Sequence, residues 1–386
     1  MEDFSLYIHI PFCLSKCSYC DFFSIEYPSS KILDSYIESL CNEILFRQKK
    51  FNISFFRTIY IGGGTPSLLS KNQLLKLFTF LKENSDFSKC EEITIEVNPD
   101  DITESLLEIF DFCEINRISC GIQSLNESSL KFVHRRASLE QNLKAINLLK
   151  NKWKRDFSFD LICALPNEDE KSFLDGLSQI VKIKPSHISM YSLTIEDNTE
   201  LGKKINSKEW NFDLDFQDDL WLASREVLLK NGYHHYEVSN FCLENKECLH
   251  NLVYWNHKNY LGCGSGACGT VYNEDGSGFR WTNKNNISKY IENWKNLKTD
   301  YEIRENLDLE TSKFEFFMMG FRKLSGICDF EYENIFREKI PRSKIKIFEK
   351  WNKNKMLDIK SEKNGIRYSL NPLGILYLNA FLEELI

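Results

Sequence analysis

Between residues 5 and 193, short apolar runs alternate six times with amphipathic stretches, and that rhythm limits the fold more than any other feature of the chain. The runs SLYIHI (5–10), RTIYIG (57–62), EITIEV (92–97), RISCGI (117–122), SFDLICAL (158–165) and HISMYSL (187–193) read as buried parallel strands. The stretches between them, such as SKILDSYIESLCNEILFRQ (30–48), carry apolar residues at helical spacing. Ser70 stands where the helix KNQLLKLFTFLKE needs its N-cap. Six strand–helix units predict an α/β fold built on a parallel sheet. They are too few to close an eight-stranded barrel. The expectation is an open, three-quarter (β/α)6 barrel over residues 1–195, followed by a mixed extension over 196–300. Residues 301–386 read as helices, a β-hairpin and a last helix, an α+β, winged-helix-like end.

A parallel barrel keeps its chemistry on the loops leaving the carboxyl ends of its strands. Here strand one exits into CLSKCSYC, strand two into GGGTPS, strand three into EVNPD and strand four into GIQSL, while strand five carries Asp160. The polar features thus fall on one rim.

The first of these loops holds Cys13, Cys17 and Cys20 in a Cys-x3-Cys-x2-Cys spacing. Most of the ten other cysteines lie in apolar surroundings and read as small buried hydrophobes. The opening MEDFSLYIHI has neither the basic flank nor the apolar core of a signal peptide. No apolar run is long enough to span a bilayer. The chain is therefore expected in the cytoplasm without a disulfide framework, with peripheral membrane contact left open. A net charge of −7 and no basic tract give no expectation of a nucleic-acid partner. Thiolates hold iron–sulfur clusters, and a four-iron cluster normally takes four of them. Three leave one iron open to an outside ligand, by the logic that gives catalytic zinc its vacant position. The competing arrangement, a zinc knuckle completed by His9, suffers because His9 lies inside strand one and no second cysteine pair follows.

Three cysteines after strand one and a glycine-rich loop after strand two resemble the radical S-adenosylmethionine (SAM) superfamily. The wording YIHIPFC…C.YCDF is similar to the branch containing the oxygen-independent coproporphyrinogen III dehydrogenases. That resemblance implies a [4Fe–4S] cluster on Cys13, Cys17 and Cys20, with SAM on its open iron, cleaved to a 5′-deoxyadenosyl radical. It also implies that Gly62, Gly63, Gly64 and Thr65 lie close to SAM, glycine letting backbone amides approach a charged ligand. Tyr7 and Tyr19 match aromatics packed on SAM, and Glu96 matches an acidic SAM contact. Gln123, Arg135 and Asp160 match polar ligands that in the dehydrogenases attend a second SAM.

The other end of the chain separates the branches. His250-Asn251-x-x-Tyr254-Trp255, followed by YLGCGSGACG and later by FEFFMMGFRKLSGI (314–327), resembles the HemW-type haem chaperones over nearly the whole chain. The dehydrogenases carry an N-terminal extension for which this sequence shows no counterpart. The resemblance implies haem as cargo, His250 as a candidate axial ligand and a haem-accepting protein as partner. Cys268 stands where relatives carry His, and its thiolate is a second candidate for the iron. The alternatives are coproporphyrinogen III dehydrogenation, a HemN-like radical methyltransferase, and a zinc or DNA module. His234 and His235 read as structural.

Overall fold

The computed structural model describes residues 3–298 and 302–386. The junction expected at 300/301 lies outside them. Six strands form the barrel: β1 (Phe4–Ile10), β2 (Phe56–Gly63), β3 (Glu92–Val97), β4 (Arg117–Gln123), β5 (Asp156–Cys163) and β6 (His187–Ser192). Each pairs in parallel with the next, in sequence order. The helices between them carry the expected caps. Ser70 accepts from the Gln73 amide while the Gln73 side chain returns to the Ser70 amide, and Ser138 and Gln141 repeat the device. Leu6, Ile8 and Ile10 share one core cluster with Leu33, Ile37 and Leu40 of the helix Ser30–Lys50. The alternate residues Tyr7 and His9 belong to the opposite face of the strand, inside the barrel.

The mixed segment after β6 extends the sheet at both edges. The hairpin β7 (His234–Glu237) and β8 (Asn240–Cys242) adds antiparallel to β6. His235 stacks on Phe241 at 4.4 Å, the structural role read from sequence. At the other edge β9 (Tyr260–Cys263) pairs in parallel with β1. Antiparallel β10 (Cys268–Tyr272), β11 (Gly278–Asn283) and β12 (Glu302–Leu307) follow it. The result is a linear order of twelve strands, β12-β11-β10-β9-β1-β2-β3-β4-β5-β6-β8-β7, so the barrel stays open. The reason lies in the sequence. The chain after β6 lays an antiparallel hairpin on that strand, and β9, which does run parallel to β1, is followed by antiparallel strands rather than by a connection to β6.

The last part has its own core, with Phe317, Phe321, Tyr332, Phe348, Trp351 and Phe381 at its centre. The helix Arg342–Lys353 leads into β14 (Leu357–Glu362) and β15 (Gly365–Leu370), joined by a two-residue turn and flanked by β13 (Ile327–Cys328). This is the helix-and-wing arrangement expected from sequence. It is laced to the barrel edge by Val238 N–H to the Arg322 carbonyl and Leu324 N–H to the Tyr236 carbonyl, each 3.0 Å.

Candidate functional site

The loop leaving β1 is held at its neck and at its tip. The Ile25 amide donates to the Pro11 carbonyl (2.8 Å) and the Tyr27 amide to the Cys13 carbonyl (2.9 Å). At the tip, the Ser18 amide reaches the Val133 carbonyl, and the Leu201 amide reaches the Ser18 carbonyl. Cys13, Cys17 and Cys20 are all half-buried. Two of the sulfurs face donors: the Thr65 hydroxyl lies 3.5 Å from Cys13 Sγ and Arg135 Nη1 lies 3.6 Å from Cys17 Sγ. A hydroxyl and a guanidinium aimed at sulfur suit the anionic thiolate that binds iron. His9 is no fourth ligand. Its Nε2–H donates to the Phe23 carbonyl (3.1 Å) and its Nδ1 accepts from the Tyr7 hydroxyl (2.9 Å), so both nitrogens are engaged.

The glycine loop does something the sequence reading did not anticipate. Gly63 (φ +116°) spends its amide on Glu96 Oε2 at 3.0 Å, and a Cβ there would meet the His9 ring at 2.6 Å. A Cβ on Gly64 would come within 2.8 Å of the Phe12 backbone. These glycines therefore admit the neighbouring loop and carboxylate first. The loop's closeness to Cys13 follows from the same packing. Glu96 also accepts from the Tyr60 hydroxyl (2.9 Å). Burial pushes its carboxyl up to about 7, against the pull of the Tyr60 hydrogen bond.

On β4, Gln123 adopts a left-handed backbone (φ 66°) where the pairing with β5 slips by one residue. Non-glycine residues hold such a conformation where surrounding structure enforces it, and such positions cluster at functional sites. Two residues earlier, Gly121 leaves room for Arg135, whose Nη2 donates to the Gly121 carbonyl at 2.5 Å. Arg135 Nε has no partner. Asp160 accepts from Ser119 at 2.9 Å, and burial raises its pKa against the pull of Ser189 and Ser119. Burial and the nearby Cys17 sulfur raise the Tyr19 hydroxyl.

These groups surround a cleft of about 590 Å³ at the carboxyl end of the barrel. Tyr19, Gly63, Gly64, Thr65, Glu96, Gln123, Arg135 and Asp160 line it together with the three cysteines. Tyr7 stands off the wall, stacked on Tyr60 at 6.2 Å. Ser119, Tyr191 and Arg136 also line the cleft and were missed. Ser119 and Tyr191 lie on the inward face of barrel strands, a signal available by counting in twos from Gly121 and Ser189. Arg136 is braced by Asp100 and Asp101, each at 2.5 Å, so the Asp pair in EVNPDD was its marker.

The His250 motif lies away from the cleft. It forms the short helix Leu249–Trp255, whose first amides, from Leu249 and His250, donate to the Glu92 carboxylate at 2.9 and 3.0 Å. His250 is 1% exposed and stacks on Tyr60 at 5.1 Å. Thr58 gives its own proton to Ser5 (2.8 Å), so its oxygen accepts from His250 Nδ1–H at 2.7 Å. His250 Nε2 then accepts from the Tyr254 hydroxyl at 2.8 Å. Burial pulls the imidazole down to about 3, so it is neutral. In this structure both nitrogens are engaged, so the axial role expected from sequence would require His250 to give up its bond with Tyr254. Cys268 is half-buried beside Tyr260 and Thr282, and burial raises its thiol, which disfavours the thiolate considered from sequence.

The radical SAM superfamily model matches residues 7–180, the segment that supplies most of this cleft. The haem chaperone HemW of Lactococcus lactis is 36% identical over 86% of this chain and 85% of that protein. HemW of Buchnera aphidicola from Schizaphis graminum is 34% identical over 97% of the chain and 98% of its own length. HemW of Escherichia coli is 33% identical over 85% of each. Among solved structures, the coproporphyrinogen III oxidase HemN of Escherichia coli, described as a radical SAM enzyme, superposes with a TM-score of 0.83 over 99% of this chain and 90% of its own, at 20% identity. It shares the fold. Membership implies SAM and a four-iron cluster, and the thiol donors and the polar cleft fit both. With relatives this similar over this length, the chain belongs to the HemW family of the radical SAM superfamily.

Proposed function

We propose that this chain is a haem carrier: it binds haem, holds a SAM-associated [4Fe–4S] cluster and passes the haem to an acceptor protein. The observation that carries the reading is end-to-end similarity to proteins named haem chaperone HemW. The bound cluster would supply an electron source and an open iron for SAM. Cys13, Cys17 and Cys20 hold it, with Thr65 and Arg135 bracing two of the sulfurs. SAM is a sulfonium bearing an ammonium and a carboxylate. Glu96 and Asp160 offer the two positive centres buried acceptors, and Arg135, with an unpartnered Nε, offers the carboxylate a donor. Tyr19, Gly63, Gly64 and Gln123 shape the walls. The chain is expected to act in the cytoplasm, and among its described residues no helix is long and apolar enough to cross a membrane.

The deciding experiment is anaerobic. Purified, reconstituted protein is titrated with haem and, separately, incubated with coproporphyrinogen III, SAM and a reductant. Stable haem binding without decarboxylation supports the carrier. Conversion of coproporphyrinogen III without haem binding replaces it with the dehydrogenase.

A further inference from the structure

A second cavity, of about 420 Å³, opens at the end of the barrel opposite the cleft. Its wall takes Glu92, Arg117 and Asp156 from the first positions of β3, β4 and β5, and Lys246 and Glu247 from the segment after β8. Arg117 is its buried cation. The residue is 4% exposed, its Nη1 donates to the Lys246 carbonyl at 3.3 Å, and its Nη2 has no partner. Burial works against its charge, and the acidic groups around it, Glu92 and Asp156 among them, more than offset this. None of them forms an ion pair with it among the described residues. Arg135, Arg136 and Arg322 also keep unpartnered nitrogens, but the first two line the cleft and Arg322 lines neither cavity.

The carboxylates that share this wall are engaged elsewhere. Glu92 takes the amides of Leu249 and His250, Glu91 takes Arg57, and Asp156 takes Lys246. Among the cations, Arg155 is held by Asp111, whereas the Lys154 ammonium meets only the Asn151 carbonyl. A carbonyl accepts a hydrogen bond without neutralising the charge. Arg117 and Lys154 are thus left without a carboxylate, one buried and one exposed. Glu247 is the opposite case, a half-buried lining carboxylate with no hydrogen bond or ion pair among the described residues. The cavity therefore has two uncommitted cations and one uncommitted acceptor.

We infer that this cavity is a second binding site, for a small molecule that carries a phosphate or carboxylate group and a hydroxyl. Arg117 and Lys154 take the oxyanion, and Glu247 accepts from the hydroxyl. A planar guanidinium suits either oxyanion, and the volume falls within the range of small-ligand sites. The inference is independent of the haem reading.

The test titrates the cluster-loaded full chain calorimetrically with glycerol 3-phosphate and, separately, with glycerate. One site per chain is expected, saturating at millimolar concentrations, and the probe that binds more tightly identifies the oxyanion. Arg117→Gln and Lys154→Gln should each weaken binding by about tenfold, the range of a charge-assisted hydrogen bond. Arg117→Lys should keep part of the affinity, and Glu247→Ala should lower it. Saturating SAM should leave the probe's affinity unchanged, because the cleft lies at the other end of the strands. Competition by SAM would place the probe in the cleft and overturn the proposal. Failure of both probes to saturate overturns it, as does equal affinity in the parent and Lys154→Gln. Tighter binding in Glu247→Ala would show that Glu247 only repels the ligand, and overturns the assignment of the hydroxyl. Loss of iron in Arg117→Gln would mark a folding defect, and the exposed Lys154→Gln then decides.

Discussion

The two ends of the barrel interior contain similar residue types in opposite states. At the amino end of the strands, Thr58 donates to Ser5, His250 Nδ1–H to Thr58 and the Tyr254 hydroxyl to His250 Nε2. Glu92 beneath them collects two backbone amides. At the carboxyl end, Arg135 keeps a nitrogen without a partner, Gln123 is held in a left-handed conformation, and burial pushes Glu96 and Asp160 toward their protonated forms. Tyr60 joins the two, its ring on His250 and its hydroxyl on Glu96. Burial alone therefore does not mark a binding site in this protein. Between these two networks the difference is completeness: the one around His250 is satisfied, and the one around Arg135 leaves a donor free for a ligand.

The cysteines give the sharpest way to break this contrast. Cys13→Ala, Cys17→Ala or Cys20→Ala should each abolish cluster assembly, measured as iron content and absorption after anaerobic reconstitution. No other cysteine stands on that loop. Thermal unfolding of the metal-free protein should change little, because the three side chains are only half-buried. A variant that reconstitutes to about four irons per chain would show that the cluster lies elsewhere.

His250→Ala should do the reverse. It removes a fully enclosed ring and strands Thr58 and Tyr254, a loss of about 4 kcal/mol by the usual cost of an aromatic-to-alanine cavity. Urea unfolding should register that loss while iron content per folded chain stays at the parent level. Haem affinity of the folded fraction should also hold. If haem binding collapses and stability does not, His250 is a ligand after all and the satisfied network must open to release it.

Much of the site was legible because barrel chemistry is written at strand ends. Once six strands are recognised by their apolar runs, the cysteine loop, GGGTPS, Glu96, Gln123 and Asp160 must share a rim, and they do share one cleft. What sequence could not tell was direction. His250 and Tyr254 look the same on paper whatever they face, and only the positions of Thr58 and Tyr60, some 190 residues earlier in the chain, show the network they form here. Likewise the glycines of GGGTPS announced a close approach without saying that Glu96 makes it. The two-edged extension of the sheet was hidden for a related reason. The partner of β9 is β1, so the pairing depends on long-range packing that local pattern does not encode.

Glu96 offers a pH handle on the unsatisfied end. Its carboxyl moves from an ordinary 4.5 in the unfolded chain to about 7 in the folded one. Between those values the folded protein holds a proton that the unfolded chain has lost, so stability falls as pH rises through 4.5 to 7 and levels off above. The difference is worth about 3 kcal/mol for this buried group. Glu96→Gln should flatten that slope in the ligand-free protein, measured by urea unfolding at a series of pH values, and should weaken SAM binding. A slope unchanged by the substitution would place the titration on another group, with Asp160 the next to examine.

The smallest effect should come from Thr65→Val, which keeps the side-chain shape and deletes one hydroxyl. That hydroxyl faces Cys13 Sγ at 3.5 Å, and the residue is 8% exposed. Removing a hydrogen bond of this kind costs about 1 kcal/mol at most, so the fold, the iron content and SAM binding should survive. What should change is the cluster itself. A donor on a ligating sulfur stabilises the more negative, reduced state, so its loss should move the reduction potential in the negative direction. Redox titration of the reconstituted variant beside the parent measures this directly, and Arg135, the second donor, supplies an internal scale. Its guanidinium carries a full charge toward Cys17, so Arg135→Gln should shift the potential further in the same direction than Thr65→Val does. Equal potentials in parent and Thr65→Val would mean that the hydroxyl turns away from sulfur once the cluster is in place, and that the preformed part of the site is the Arg135 side alone.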